Sequence, residues 1–457
     1  MKPIQYFLFS FLSLLALATQ AQLTSPSTAT PNRLVLDLTG AQAYAEQNLS
    51  TVRNANADIN IQLSKADETR ARNLPKVTAS ADIRNNFQLA TILFPLPSSA
   101  GGAGNGELTP VQTGTRWNFT AAAEVTQNIL DLSNKGDRAI NTAQLRYAEI
   151  QKEVTVQNLK LAVAKAYYAV LLNKEKVKLA TDDKLRKSVL HTDAQNRLAQ
   201  GQGMATDTLK SGLNLKNAYL LQLQASDALS LSLRYLGQQI GAPEQTEIVV
   251  SETLDSKRNL VASHRSLTED TATFRAKPEY RAEQQQIMIA EAQRRKISYQ
   301  YLPTINAYGY YAGQAFRQDL DFLDTRRSFY PVGYLGIKAN WTIFDGFQKK
   351  AQDRQQLLSQ AKSEATMLSL RQSIAYDRAN ALNAQTTAAR NMTYQQQNLR
   401  LATTLYDQAR LRVRQGQALQ QEVTEAEYTL RQTEQLYLQS VYDYLVAELD
   451  YKKATAF

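Results

Sequence analysis

Cysteine is absent from all 457 residues, which excludes a disulfide framework, a thiolate metal site, a thiol nucleophile and a lipidated N-terminal cysteine. Histidine is nearly absent. His191 and His264 stand far apart, and neither sits in an H-E-x-x-H or comparable ligand spacing. A zinc site or a catalytic triad therefore has nothing to build on, and both histidines read as surface or structural residues. No set of acid, base, nucleophile and metal ligands can be assembled, so the chain does not read as an enzyme and requires no cofactor. Long runs of one charge are missing too. The formal net charge is +10, yet the densest basic cluster is Arg294-Arg295-Lys296 and acids are interspersed elsewhere. That pattern is a solvated surface and argues against nucleic acid as a partner. Beyond the N-terminus no apolar run reaches the ~18 residues of a spanning helix, so a membrane-embedded form of this chain has to use strands.

What is present begins with a leader. Lys2 supplies a positive start, Phe7 to Ala18 an apolar stretch, and Ala16-Leu17-Ala18 or Thr19-Gln20-Ala21 a small-residue cleavage site. Residues 1–21 are thus expected to be a secretory signal peptide, with the mature chain starting near Gln22.

Internal repetition organises the remainder. Leu74-Pro75 recurs as Leu302-Pro303, Leu130-Asp131 as Phe344-Asp345, and Arg197-Leu198-Ala199-Gln200-Gly201-Gln202 as Arg412-Val413-Arg414-Gln415-Gly416-Gln417. The last two offsets nearly agree. The first is longer because the first half carries an insertion from Pro95 to Gly114, whose Ser98-Ser99-Ala100-Gly101-Gly102-Ala103-Gly104 predicts a flexible loop. The first repeat, 22–240, reads as a helix, strands near 76–90 and 115–130, a long helix 131–200, a turn at 201 and a return helix. A segment at 241–278 shares neither pattern. The second repeat, 279–457, reads as a helix, strands near 304–313 and 332–344, a long helix 345–415, a turn at 416 and a return helix.

The strands alternate. Val77, Ala79, Ala81 and Ile83 face one way, as do Trp117, Phe119, Ala121, Ala123 and Val125, with polar residues such as Thr78, Ser80, Asp82, Asn118 and Glu124 opposite. The second half repeats this less strictly through Ile305, Ala307 and Tyr311, then Leu335, Ile337, Ala339, Trp341 and Ile343. Every apolar face falls on odd numbers. The two long intervals lack proline and are rich in Ala, Gln, Leu, Lys and Arg. Each of roughly 70 residues would make a rod of about 100 Å, which needs helical neighbours. The second return helix offers one apolar stripe through Val423, Ala426, Leu430, Tyr437, Val441 and Tyr444.

Four strands cannot close a barrel, and open edges are not tolerated in lipid. Several chains must share one, and three copies give twelve strands, an allowed even number, with polar positions facing a water-filled lumen. Trp117 lies well before its strand-end anchor Asp131 and Trp341 close before Asp345. That offset spans about 25 Å of height, so the two tryptophans would mark the rims of the apolar band.

Several motifs resemble the TolC-like outer-membrane efflux proteins, the outer-membrane factors of tripartite efflux and type I secretion systems. The resemblance runs from about Leu34 to Phe457. It is carried by Ala71-Arg72-Asn73-Leu74-Pro75, by Lys277-Pro278-Glu279-Tyr280 leading to Tyr301-Leu302-Pro303, by Trp341-Thr342-Ile343-Phe344-Asp345-Gly346, and by both Gln-Gly-Gln turns. It implies a mixed α and β membrane protein of a Gram-negative outer membrane, with a trimeric twelve-stranded barrel continuous with a long periplasmic α-helical barrel. The implied homotrimer is a passive exit channel whose partners are outer-membrane lipid, a periplasmic adaptor and an inner-membrane pump or ABC transporter. Drugs, metal ions and polypeptides all stay open as cargo. The segment 241–278 would belong to an irregular belt around the helices.

The two glycine turns would form the periplasmic tip that meets the adaptor, with Arg197, Gln200, Gly201, Arg412, Gln415 and Gly416 as docking residues. Glu422 and Glu425 match the family's paired acids at the closed aperture, and Asp207 holds the corresponding first-half position. The chain departs from the family elsewhere: Lys210 stands where the second acid would be, and the aromatic and arginine gate partners fall on Val413 and Ala418. A non-porous periplasmic or surface coiled-coil protein is the alternative, which accounts for the rods but not for the strand alternation.

Overall fold

Two proline-free intervals set the dimensions of the molecule. The computed structural model describes residues 33–95, 108–254, 273–322, 328–415, 417–418 and 420–455. The leader at 1–21, His264 and Gly416 lie outside them. The two intervals are helices α3 (Ser133–Ala199) and α7 (Gln348–Arg414), each of 67 residues, hence rods of about 100 Å. The return helices α4 (Ala205–Ile240) and α8 (Gln420–Thr455) also match, at 36 residues each. Carboxylates start the rods: Asp131 accepts from the Ser133 N–H at 2.9 Å and Asp345 from the Lys349 N–H at 3.1 Å, satisfying amides that a first helical turn leaves free.

The rods pack side by side. Nearest the hairpin ends the order is α4, α3, α8, α7; nearest the sheet, α2 (Ser50–Ala71) and α6 (Pro278–Tyr299) replace the return helices, giving α2, α3, α6, α7. In both layers the outermost helices keep an uncovered flank. Leu209, Leu213, Leu220 and Leu231 on α4 are exposed, as are Leu358, Leu368, Tyr394 and Leu401 on α7. Only Ala381, Ala402 and Ala409 of α7 are buried.

The main core lies midway along α3, where both return helices end. Val163, Tyr167, Val170 and Leu171 of α3 meet Leu236 and Ile240 of α4 and Tyr437, Val441 and Tyr444 of α8. The segment after the first repeat contributes β6 (Glu247–Val250), which pairs in parallel with β1 (Arg33–Leu36). The sequence reading did not foresee this small sheet: strands of 4 residues are too short to show a period. It packs with α1 (Leu38–Asn48) against the core, and the Tyr167 hydroxyl donates to the Leu36 carbonyl at 3.3 Å. A single turn, α5 (Thr273–Ala276), leads into α6.

Beyond the rods, β2 (Lys76–Asn85), β5 (Trp117–Leu130), β7 (Thr304–Arg317) and β8 (Tyr330–Asn340) form one antiparallel sheet in the order β2-β5-β7-β8. The halves join at β5 and β7. The register pairs odd with odd: Ala79, Ala123, Tyr311 and Gly333 make one row, and Thr78, Glu124, Tyr310 and Tyr334 the next. One face is therefore Val77, Ala81, Phe119, Ala121, Gly313, Leu335 and Ile337. All ten residues of β2 are exposed, and among the described residues no helix packs over either face.

Three strand boundaries differ from expectation. β2 ends at Asn85, short of 90, and β7 runs on to Arg317. The expected loop from Pro95 to Gly114 is in part a ladder, since β4 (Leu108–Thr113) pairs with β3 (Ala90–Pro95). Ile92 opposite Val111 supplies the branched cross-strand contact that outweighs the neighbouring turn residues. β8 stops at Asn340, which is opposite Thr304, the first residue of β7. Pro303 before it has no N–H to extend the ladder. Trp341 and Ile343 thus leave the strand, and the indole N–H of Trp341 donates instead to the Tyr301 carbonyl at 3.0 Å.

Candidate functional site

The first hairpin turn is built by hydrogen bonds that return to the helix. The Gly201 N–H donates to Leu198 O at 3.0 Å and the Gln202 N–H to Arg197 O at 2.8 Å. This reversed closure needs a left-handed residue after the cap. Gly201 supplies it at φ 71°, and a Cβ there would meet nothing within 4 Å. The second turn repeats the closure, with the Gln417 N–H on Arg412 O at 2.9 Å. Arg197, Gln200, Gly201, Arg412 and Gln415 are all exposed. Equal rod lengths and the lateral packing of α3 on α8 bring the two hairpins to one end of the molecule.

The acidic candidates sit just inside that end. Val423 and Ala426 are buried against Ala409, Tyr406 and Val413, which turns Glu422 and Glu425 outward. Glu422 is not solitary: Arg412 reaches it across the turn at 3.2 Å. Both partners are about half exposed, so the pair contributes roughly 0–1 kcal/mol. Glu425 accepts from the Gln421 amide at 3.2 Å. Asp207 lies in the first turn of α4, also exposed. Val413 is thus seam packing. His191 is structural, its ring nitrogen 2.9 Å from the Ser211 hydroxyl.

The tryptophans stand at opposite ends of the sheet. Trp117 is level with Arg317, and Trp341 follows Asn340, which is level with Thr304. The 14 residues of β7 separate them, about 45 Å of strand or ~35 Å of height at a tilt near 40°, more than the expected ~25 Å, because the register sets Trp117 opposite the far end of β7. Trp341 is 63% exposed, and Ile343, Phe344 and Phe347 beside it are more so. Among the described residues no helix is long and apolar enough to cross a membrane, and no cluster of ligating side chains is placed to hold a metal.

A cluster the sequence reading missed ties α3 to α8 roughly three to five helical turns short of the hairpins. Asp183 is 2% exposed and accepts from Arg431 at 3.1 Å, with Arg186 at 3.6 Å. Glu427, 4% exposed, holds Lys187 at 2.5 Å and Arg186 at 3.4 Å. Glu434 is half-buried beside them. The signal was in the stripe: alternating steps of four and three from Val423 land on Glu427 and Glu434 before reaching Tyr437, Val441 and Tyr444. Charges at seam positions fix register. Burial pushes the Glu434 carboxyl above the usual range; Arg186 opposes the shift, while Asp183 and Asp182 add to it.

Residues 275–456 match the outer membrane efflux protein family model. The resemblance read from Lys277-Pro278-Glu279-Tyr280 and the Trp341–Gly346 junction is borne out there. No curated protein matches the chain. Among solved structures, CusC, studied for folding and transmembrane channel formation, aligns with a TM-score of 0.68 at 15% identity, over 94% of this chain and 95% of its own. The outer membrane protein VceC of Vibrio cholerae gives 0.64 at 14%, over 92% and 95%. The open-state outer membrane channel MtrE of Neisseria gonorrhoeae gives 0.67 at 17%, over 92% and 88%. At such identities the likeness is one of fold, and it extends over rods and sheet together.

The buried cluster yields a pH-dependent prediction. A carboxyl whose folded value lies above its unfolded one contributes stability in full below the unfolded value and loses it as pH rises through the folded value. Glu434→Gln is therefore expected to raise the melting temperature at neutral pH and to match the parent protein near pH 4. Arg431→Met, which leaves buried Asp183 with only Arg186 at 3.6 Å, should instead lower the melting temperature over the same pH range, at a cost below the ~3–5 kcal/mol of a wholly unpaired buried charge. Thermal melts of detergent-solubilised protein from pH 4 to 8 check both.

Proposed function

We propose that this chain, whose residues 275–456 carry the outer membrane efflux protein pattern, is one third of a passive exit channel through the outer membrane. One observation supports the reading above all others. Sheet and rods end in open edges, and in each layer one edge comes from the first half, β2 or α4, and the other from the second, β8 or α7. A contact between unlike edges closes into a ring under rotation. Two copies would make an eight-stranded barrel, whose interior side chains fill. Three make twelve strands around a lumen and twelve rods below it.

In that assembly the odd-numbered face meets lipid and the even-numbered face meets water. Trp117 and the Trp341–Phe347 group lie on either side of an apolar band of about 25 Å, each a few ångströms beyond its rim. The first repeat (22–240) and second repeat (279–457) each supply a hairpin of strands and a hairpin of rods, with β6 of the segment 241–278 beside the helices. The exposed tip turns, with Arg197, Gln200, Gly201, Arg412, Gln415 and Gly416, dock a periplasmic adaptor, which links the channel to an inner-membrane pump or ABC transporter. Asp207, Glu422 and Glu425 line the narrow end, where repeated carboxylates attract hydrated cations. Residues 1–21 direct export to the periplasm. A non-porous coiled-coil protein would leave the two-faced sheet without a purpose.

The direct test is mass and conductance. Full-length protein in detergent should have the mass of a trimer and open water-filled channels in lipid bilayers; a well-behaved monomer without conductance sinks the reading. In the same bilayers, Glu422→Gln with Glu425→Gln should weaken cation preference. Ala121→Arg, at mid-band on the lipid side, is expected to cost about 2–4 kcal/mol and deplete the trimer, whereas Ser80→Arg on the opposite face should assemble normally. Gly201→Asp should preserve trimer and conductance but abolish export in cells, because a side chain at the left-handed turn obstructs docking. Undiminished export would refute the role given to the tip.

A further inference from the structure

The even-numbered face of the sheet is not uniformly polar. On β2 and β5 it carries Thr78, Ser80, Asp82, Asn118, Thr120 and Glu124, as a water-filled lumen requires. On β7 and β8 the same face carries Tyr308, Tyr310, Phe316, Tyr330 and Tyr334. The odd face of those two strands has one aromatic residue, Tyr311. The rings therefore gather on the side that the proposed channel turns toward water. Tyr334 is 51% exposed.

These rings form an ordered group. Tyr310 and Tyr334 are direct partners in the register and stack at 4.9 Å with an interplanar angle of 18°. Tyr308 meets Tyr334 edge-on at 6.1 Å. Opposite Tyr308 stands Gly336, where a Cβ would come within 2.6 Å of the Tyr308 hydroxyl. Only glycine lets that ring lie against the neighbouring strand. On the other side, the β5 partner of Tyr310 is Glu124, which is exposed. Directly opposed residues have Cβ atoms about 5 Å apart, so a carboxylate flanks the stacked pair. Among the described residues it has no ion-pair partner.

Cross-strand stacking stabilises a sheet, but that does not account for a carboxylate next to half-exposed rings. Electron-rich ring faces with an adjoining negative charge suit a flat, positively charged aromatic molecule, which gains stacking, cation–π attraction and charge pairing together. Anions are repelled, and neutral sugars or aliphatic cations use only part of the group. We infer that the lumen wall carries a site made by Tyr308, Tyr310, Tyr334 and Glu124, present three times per trimer, that binds planar aromatic cations in transit. The inference rests on the channel reading, since only there does this face line a water path. Its open, shallow geometry suits a conduction site, which has to release what it binds.

Ethidium serves as the planar aromatic cation and tetraethylammonium as the aliphatic cation of equal charge. With full-length trimer in detergent, fluorescence anisotropy should show saturable ethidium binding that tetraethylammonium competes for poorly. In bilayers ethidium should interrupt the current where tetraethylammonium does not. Tyr310→Ser with Tyr334→Ser should weaken ethidium binding about tenfold, and Glu124→Gln should weaken it severalfold and flatten its salt dependence. Should the serine pair disturb the sheet, Tyr334→Phe against Tyr334→Leu decides: phenylalanine keeps binding and leucine loses it. Equal ethidium affinity in all variants, or equal action of the two cations, overturns the site while a conducting trimer leaves the channel standing. Absence of conductance removes the channel and the transit role with it, whatever the binding assay gives.

Discussion

A strand edge in hydrocarbon leaves its N–H and C=O groups with no water to turn to, at several kcal/mol for each unsatisfied group. β2 and β8 are the open edges of the sheet, and the proposed channel would set them in that solvent. The apolar odd-numbered residues would make the problem acute there, because their side chains suit an apolar solvent while the backbone beside them does not. In the proposed channel, pairing β8 of one copy with β2 of the next would remove every edge at once. The rods obey the same logic with side chains in place of amides: the leucine-bearing flanks of α4 and α7 lie at opposite ends of their layer. In the proposed ring a single closing operation would serve both layers.

Long rods need more than apolar area to stay in register, since a stripe of Leu, Val and Ala can slide by a heptad at modest cost. The Asp183, Arg431, Glu427 and Lys187 cluster supplies a contact that tolerates no slippage, because a misaligned neighbour would bury charge without a partner. It joins the first long rod to the second return rod, so it locks one repeat to the other near the hairpins. At the opposite end β5 and β7 do the same through backbone pairing. The chain's halves are therefore stapled at both extremities and cored in the middle.

Much of this was legible in the residues. The rods, their hairpins and the parity of the strands follow from local rules: absence of proline, glycine at the reversal, alternation by two. The β3 and β4 ladder escaped because Gly and Ser dominate the stretch between its strands. The end of β8 escaped because odd-even alternation continues through Trp341 and Ile343 after the partner strand has run out. The β1 and β6 sheet was hidden by brevity and by a separation of some two hundred residues. Glu427 and Glu434 were passed over because only the apolar members of the stripe were counted. The tyrosines of β7 and β8 were seen as a loosened pattern, when register and ring geometry make them a surface with its own chemistry.

The matched lengths of α3 and α7, and of α4 and α8, carry one last consequence. Deleting one residue from a helix turns everything beyond it by about 100°, so a gap in α3 ahead of Asp183 would swing that carboxylate out of the seam and lower one hairpin relative to the other. Changes in reach are tolerated only as whole heptads introduced into all four rods in concert. The span of this protein is therefore quantised, in steps of about 10 Å.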